Sequence, residues 1–242
     1  MCGRFSLGVS TDQLKGFFPL FDLPASLRRY NIAPTQDVLA VRVEKGKEKP
    51  QGGLMRWGLV PYWAEDLSIG NKQINARAET LATKPAFRSA FQKRRCLILA
   101  DGFYEWKKLG KEKQPFHIHN KDGSPFAFAG LWEYWKKKEG ADAKAPASVE
   151  SCAIITTDAN ELVASLHDRM PAILDPGDYL RWLDPAPVDP AVLQEMLRPY
   201  PAAKMEAVAV SKRVNNVANE GAECVAPEAG AKSPQWRETT LF

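Results

Sequence analysis

The sequence predicts an α+β fold: one domain on a largely antiparallel, curved, barrel-like sheet flanked by helices. Three observations carry that expectation. Apolar and β-branched runs dominate, they come in bunches rather than in a strand–helix alternation, and helical stretches are few and short. The strand runs are 38–44, 54–60, 96–100, 103–107, 115–119, 126–133, 151–157 and 205–211. Asp101-Gly102 reads as a tight hairpin turn between two of them, and the segment from Asn120 to Gly123 as the turn of another pair. Helices are expected over 11–18, 85–93, 178–183 and 190–197. A further one starts at Ala159, with Asp158 as its cap and Glu161 completing a capping-box-like pair.

The 242 residues are enough for a sizeable core, and 45% hydrophobic with 26% charged residues is ordinary for a globular chain. The domain is read as 1–226, with 227–242 as a loose tail poor in apolar residues. Residues 139–147 form a low-complexity loop. No apolar run approaches the roughly 20 residues of a membrane helix, and the opening MCGRFSLGVS has no secretory apolar region. The expected location is the cytoplasm, near the nucleoid in a bacterium, or the nucleus in a eukaryote. A net charge of +4 permits a polyanionic partner without requiring one. None of the four cysteines forms a CxxC pair, so neither a disulfide nor a metal site is expected, and no cofactor is implied. Cys96 and Cys152 lie inside apolar runs and read as inert core thiols.

Cys2 differs because one residue precedes it. If Met1 is removed, Cys2 carries an α-amine beside its thiol. An α-amine has a pKa of about 7.7–8.0, against about 10.4 for lysine, so roughly a tenth of it is neutral and nucleophilic at pH 7. Such an amine condenses with an aldehyde to a Schiff base. The neighbouring thiol can then close a five-membered thiazolidine, favoured by proximity. The competing reading is an accident of position. Gly3 allows close approach of a substrate, and Arg4 can hold a phosphate.

Four further groups have two readings each. Asn75 either orients a polar intermediate or caps a helix; in extended chain it shares a face with Arg77. Strand alternation sets Phe103 and Glu105 on one face and Tyr104 and Trp106 on the other. Glu105 among aromatics is then a general acid with a raised pKa, or an outward carboxylate paired with lysine. His167, after the predicted helix and beside Asp168 and Arg169, is an acid–base group or a helix-end histidine. His117 and His119 share a face and read as surface positions rather than metal ligands. Trp57, Tyr62, Trp63 and Trp106 stand near glycine, proline or lysine, and suit stacked single-stranded bases or ordinary packing.

These segments together resemble the SRAP (SOS response-associated peptidase) family, whose members bind abasic sites in DNA. The matching stretches are MCGRF, YNIAPT, RWGLVPYW, INARAET, RRCLILADGFYEWKK, ITTDAN, LHDRMPAIL and VSKRVNNVANEG, in family order over nearly the whole chain. The resemblance implies Cys2 as the nucleophile, freed by autocatalytic loss of Met1. It implies Asn75 as the residue contacting the crosslink and orienting the N-terminus, Glu105 as the acid–base for sugar opening and imine formation, and His167 in ring opening and cleavage or reversal. Arg4, Arg77 and Arg169 fall at phosphate-binding positions. Pro34, Trp63 and Trp106 match apolar residues that wedge DNA, and Thr156 a backbone contact. The implied activity is a covalent crosslink to abasic sites in single-stranded DNA by a monomer without a membrane partner, with weak lyase activity. Three rivals are an N-terminal-cysteine amidohydrolase, a non-covalent single-strand damage sensor and a peptidase acting on other proteins.

Overall fold

Where apolar residues alternate or run continuously for five residues or more, the chain forms long strands; shorter strands are recruited by neighbours. The computed structural model describes residues 2–44, 47, 49–138, 145–186 and 188–228, so Met1, most of the low-complexity loop and the tail from 229 lie outside the described residues. The strands are β1 (Phe5–Leu7), β2 (Arg29–Ile32), β3 (Asp37–Arg42), β4 (Gln51–Trp57), β5 (Asn75–Arg77), β6 (Arg95–Ala100), β7 (Gly102–Leu109), β8 (Glu112–Asn120), β9 (Phe126–Lys136), β10 (Ser148–Asp158), β11 (Arg169–Pro171) and β12 (Met205–Ala209). The α-helices are α1 (Thr11–Phe17), α2 (Arg88–Lys93), α3 (Glu161–Ala164), α4 (Tyr179–Leu183) and α5 (Pro190–Gln194).

β10, β4, β3, β6 and β9 pair in sequence, and β9 pairs back to β10, closing a five-stranded barrel. Closure removes the exposed edges an open sheet would present. All its pairings are antiparallel except β10 with β4. A second, wholly antiparallel sheet runs β12-β8-β7-β1-β2. The core lies inside the barrel and between it and this sheet. Phe5 meets Trp57 edge-on at 5.2 Å and Phe128 at 5.7 Å, and all three are fully buried. Each such side chain stabilises the fold by about 2–3 kcal/mol.

The expected class is therefore observed, with local differences. β6 and β7 do not pair: Asp101-Gly102 carries the chain from the barrel to the second sheet, so it is a crossover, not a hairpin turn. The segment from Asn120 to Gly123 likewise turns between sheets. A tight hairpin instead joins β7 to β8 through Gly110, at φ 61, where a side chain would be strained. Helix α3 is capped by Asn160, whose Oδ1 accepts from Val163 N at 2.9 Å; Asp158 ends β10 instead. Trp57 is buried in the core, donating to the Ile74 carbonyl, and offers no stacking face. His117 is buried rather than at the surface. Pro227 bridges to Val210, and Glu228 N–H donates to Ala209 O, so the described chain is still attached at 228.

Candidate active site

β10 is the organising strand. Its first half is held by β9; past Cys152 its C-terminal half takes β5 on one side and β11 on the other. Thr156 is aligned with Arg77 of β5 and with Pro171 of β11. Asn75 and the segment leading into β11, which includes His167, are thus brought to the same end of one strand. The second sheet supplies the rest: β1 follows Cys2 and Arg4, and pairs with β7, which carries Glu105 and Trp106.

Cys2 is fully buried. Its thiol donates to the Arg4 carbonyl, a long contact of 3.8 Å, and its own carbonyl accepts from Asn75 Nδ2 at 2.7 Å. The second residue of the chain is therefore fixed by a side chain from β5. Asn75 is a strand residue here, not a helix cap. Its Oδ1 is buried and has no hydrogen-bond partner among the described residues. Burial, with the nearby Glu105 charge, pushes the Cys2 thiol well above its ordinary value, so the thiol is protonated.

Glu105 points inward with Phe103, as alternation implies, whereas Tyr104 and Trp106 pack on the opposite face. Burial raises the Glu105 pKa above the usual carboxylate range, and the charge of His167 opposes that rise. Glu105 thus senses His167, and Cys2 senses Glu105. A carboxyl that keeps its proton nearer neutrality can act as a general acid. His167 follows α3 in a loop, with Nδ1 accepting from Arg169 N–H at 3.0 Å and lying 2.7 Å from Asp168 Oδ1.

The other expected residues are distributed around this centre. Arg4 donates to Asn31 Oδ1 at 2.6 Å and to the Val214 carbonyl at 2.8 Å, and lies 5.9 Å from the Trp106 ring. The Trp106 indole N–H donates to Asn215. Arg77 is exposed and makes no hydrogen bond through its guanidinium among the described residues. Trp63 is exposed on the loop after β4, and Pro34 is half-buried beside Thr35, whose φ of 72 is unusual for a β-branched residue. Neither touches the Cys2 cluster by hydrogen bond, ion pair or ring contact. Thr156 is fully buried and Arg169 nearly so, unlike the solvent-facing positions that DNA contacts ask for. Glu79 and Asn31 escaped the sequence reading. Glu79 sits within INARAET, but nothing local reveals that it meets Arg169; Asn31 had only its place in YNIAPT. No group of residues suited to a metal occurs among the described residues, and no helix is long and apolar enough to cross a membrane.

Fold and site define a protein whose second residue is held at a polar centre built by three short strands and two long ones. The chain belongs to the SRAP family: the description "SOS response associated peptidase (SRAP)" matches residues 1–217. It is 44% identical over 235 residues to the abasic site processing protein YoaM of Bacillus subtilis (strain 168), covering 94% of this chain and 99% of that one. It is 32% identical over 237 residues to the abasic site processing protein YedK of Escherichia coli (strain K12), covering 94% and 100%. Among solved structures, a protein from Bacteroides thetaiotaomicron superposes with a TM-score of 0.80 at 24% identity, over 94% of this chain and 100% of that one, which supports the fold alone.

Proposed function

We propose that this protein processes abasic sites in DNA, as the names of its relatives say of them, and that it does so by bonding covalently through Cys2. The carrying observation is the Asn75 amide on the Cys2 carbonyl, with Glu105 in electrostatic reach of Cys2 and His167 in electrostatic reach of Glu105. Loss of Met1 frees the Cys2 amine. An abasic deoxyribose equilibrates with its open-chain aldehyde; Glu105 delivers a proton to the ring oxygen as it opens. The amine adds to C1′ and water leaves, giving an imine. The thiol then adds across the C=N bond: sulfur bonds to C1′, the thiol proton ends on nitrogen, and a thiazolidine results. Because burial keeps the thiol protonated, the amine reacts first. The buried Asn75 Oδ1 offers an acceptor to the intermediate's N–H. Arg77, exposed two residues beyond Asn75, suits a backbone phosphate. Stopping at the imine permits β-elimination, hence weak lyase activity, and a single strand is the preferred substrate.

The test is intact mass before and after mixing with a single-stranded oligonucleotide carrying one abasic site. A protein lacking methionine, followed by a heat-stable gain equal to the oligonucleotide less water, supports the reading. Protein that lacks Met1 and gains no mass overturns it in favour of non-covalent sensing.

A further inference from the structure

Arg169 is occupied by its own protein. Nη1 donates to Glu79 Oε1 and to Asp158 Oδ1, both at 2.7 Å; Nη2 donates to Glu79 Oε2 at 3.0 Å and to the Thr156 carbonyl at 2.7 Å. These account for the four terminal N–H bonds of the guanidinium. The remaining Nε is buried without a partner. The terminal nitrogens, the usual two-pronged grip on a phosphate, are therefore taken. The cleft outside, about 450 Å³, is lined by Arg77, Glu79, Thr80, Asp158, Asp168 and Arg169. Three carboxylates face two guanidiniums there, and of the two Arg77 makes no hydrogen bond through its guanidinium among the described residues.

What Arg169 does reach is His167. Its backbone N–H donates to Nδ1 at 3.0 Å. A nitrogen that accepts carries no proton, so the neutral ring keeps its proton on Nε2. Asp168 Oδ1, also 2.7 Å from Nδ1, asks for the opposite, a proton on that nitrogen. The two demands are not equally rigid. Asp168 is 86% exposed and can swing away, whereas the Arg169 backbone is fixed where β11 begins pairing with Asp158. The charged groups around the ring are Asp168, Arg169 and Glu105.

We infer that Glu79 is a positioning residue: by gripping Arg169 through both carboxylate oxygens, it locks the start of β11, and with it the His167 ring, against the segment that follows Asn75. Two-pronged arginine–carboxylate pairs fix orientation as well as distance. Glu79 lies just past β5 and Arg169 opens β11, so the pair bridges the two strands flanking the end of β10. The inference rests on the proposed reading in which Asn75 and His167 serve one centre, and it gives Arg169 a positioning task besides the phosphate-ligand role expected for it.

The decisive readout is the ¹⁵N spectrum of the His167 ring, since the chain has three histidines and His167→Gln assigns its signals. In the neutral ring of the wild type, the expected signals are those of an unprotonated Nδ1 and a protonated Nε2. Glu79→Ala averages the two tautomers, and Arg169→Lys, which keeps the charge but not the fork, does so in part. The same variants are assayed for adduct formation and for binding to an undamaged strand. Glu79→Ala slows adduct formation about tenfold to a hundredfold, while undamaged-strand affinity holds or rises. An unchanged tautomer in Glu79→Ala overturns the inference. So does a loss of undamaged-strand affinity equal to the loss of rate, which would assign the pair to DNA grip. If wild-type protein forms no adduct, the proposed function fails while the tautomer still judges the clamp.

Discussion

β7 buries a polar cluster on each of its faces, and the two are built on opposite terms. On the outer face, Ser6 Oγ donates to Asp101 Oδ1 at 2.6 Å and lies 2.8 Å from His117 Nε2, while the Asp101 carboxylate also accepts from the backbone of Gly8 and Val9. Gly102 is required there, since a Cβ would sit 2.1 Å from His117 Nε2. None of this cluster's buried side-chain polar atoms lacks a partner. On the inner face, Asn75 Oδ1 is buried and unpartnered, and Cys2 is held through its backbone rather than its thiol. By composition, serine, histidine and aspartate look more like catalytic machinery than cysteine, asparagine and glutamate do. Satisfaction, not composition, separates them: a saturated buried network stiffens a fold, whereas Asn75 Oδ1 keeps its capacity to accept.

The largest expected effect tests the inner face. Cys2→Ser retains the amine but not the thiol, so it should stop at an imine that borohydride traps. Its heat-stable adduct should fall by more than about a hundredfold, read by denaturing electrophoresis; an undiminished heat-stable adduct breaks the comparison. Next, Ser6→Ala strands Asp101 and His117 and should cost about 1–3 kcal/mol in urea unfolding, with adduct formation by the folded protein unchanged. The third concerns pH. Burial, with the charge of His119, lowers His117 from 6.5 to about 3. The unfolded state therefore binds the extra proton first, and stability is lost as pH falls from 6.5 towards about 3. Compared with His117→Gln, the wild type should lose about 1.4 kcal/mol per pH unit inside that window, measured by denaturant titration at several pH values. The smallest is Glu105→Gln. Since burial raises its pKa, the folded state resists ionising it, and its contribution declines as pH rises through that raised value. The variant should gain about 1 kcal/mol near neutrality while forming adduct more slowly, and the gain should shrink in acid. A site residue whose removal destabilises would blur the distinction.

The long strands were legible because five or more residues suffice for a period to declare itself; β3, β6, β8, β9 and β10 all lie where alternation or a continuous apolar run set them. The three-residue strands β1, β5 and β11 were not predicted as strands. Three residues hold no period, and their backbones are recruited by β7 and β10 from across the chain. Those strands position Cys2, Asn75 and Arg169, so the site was read from residue chemistry and resemblance rather than from pattern. The inward aim of Glu105 was legible from alternation along β7. The Glu79–Arg169 clamp, 90 residues apart in sequence, was not, since only the folded β10 brings its halves together. Asp158 and Asn160 are both good caps, and one further residue of strand, Asp158 itself, decided between them.

The hydrogen bond from Asn75 to Cys2 spans 73 positions, and His167 arrives later still. During vectorial synthesis Cys2 leaves the ribosome long before Asn75 and His167. The nascent chain thus carries Cys2 without its Asn75 hydrogen bond until β5 is made. On the proposed reading, competence is a late event of translation.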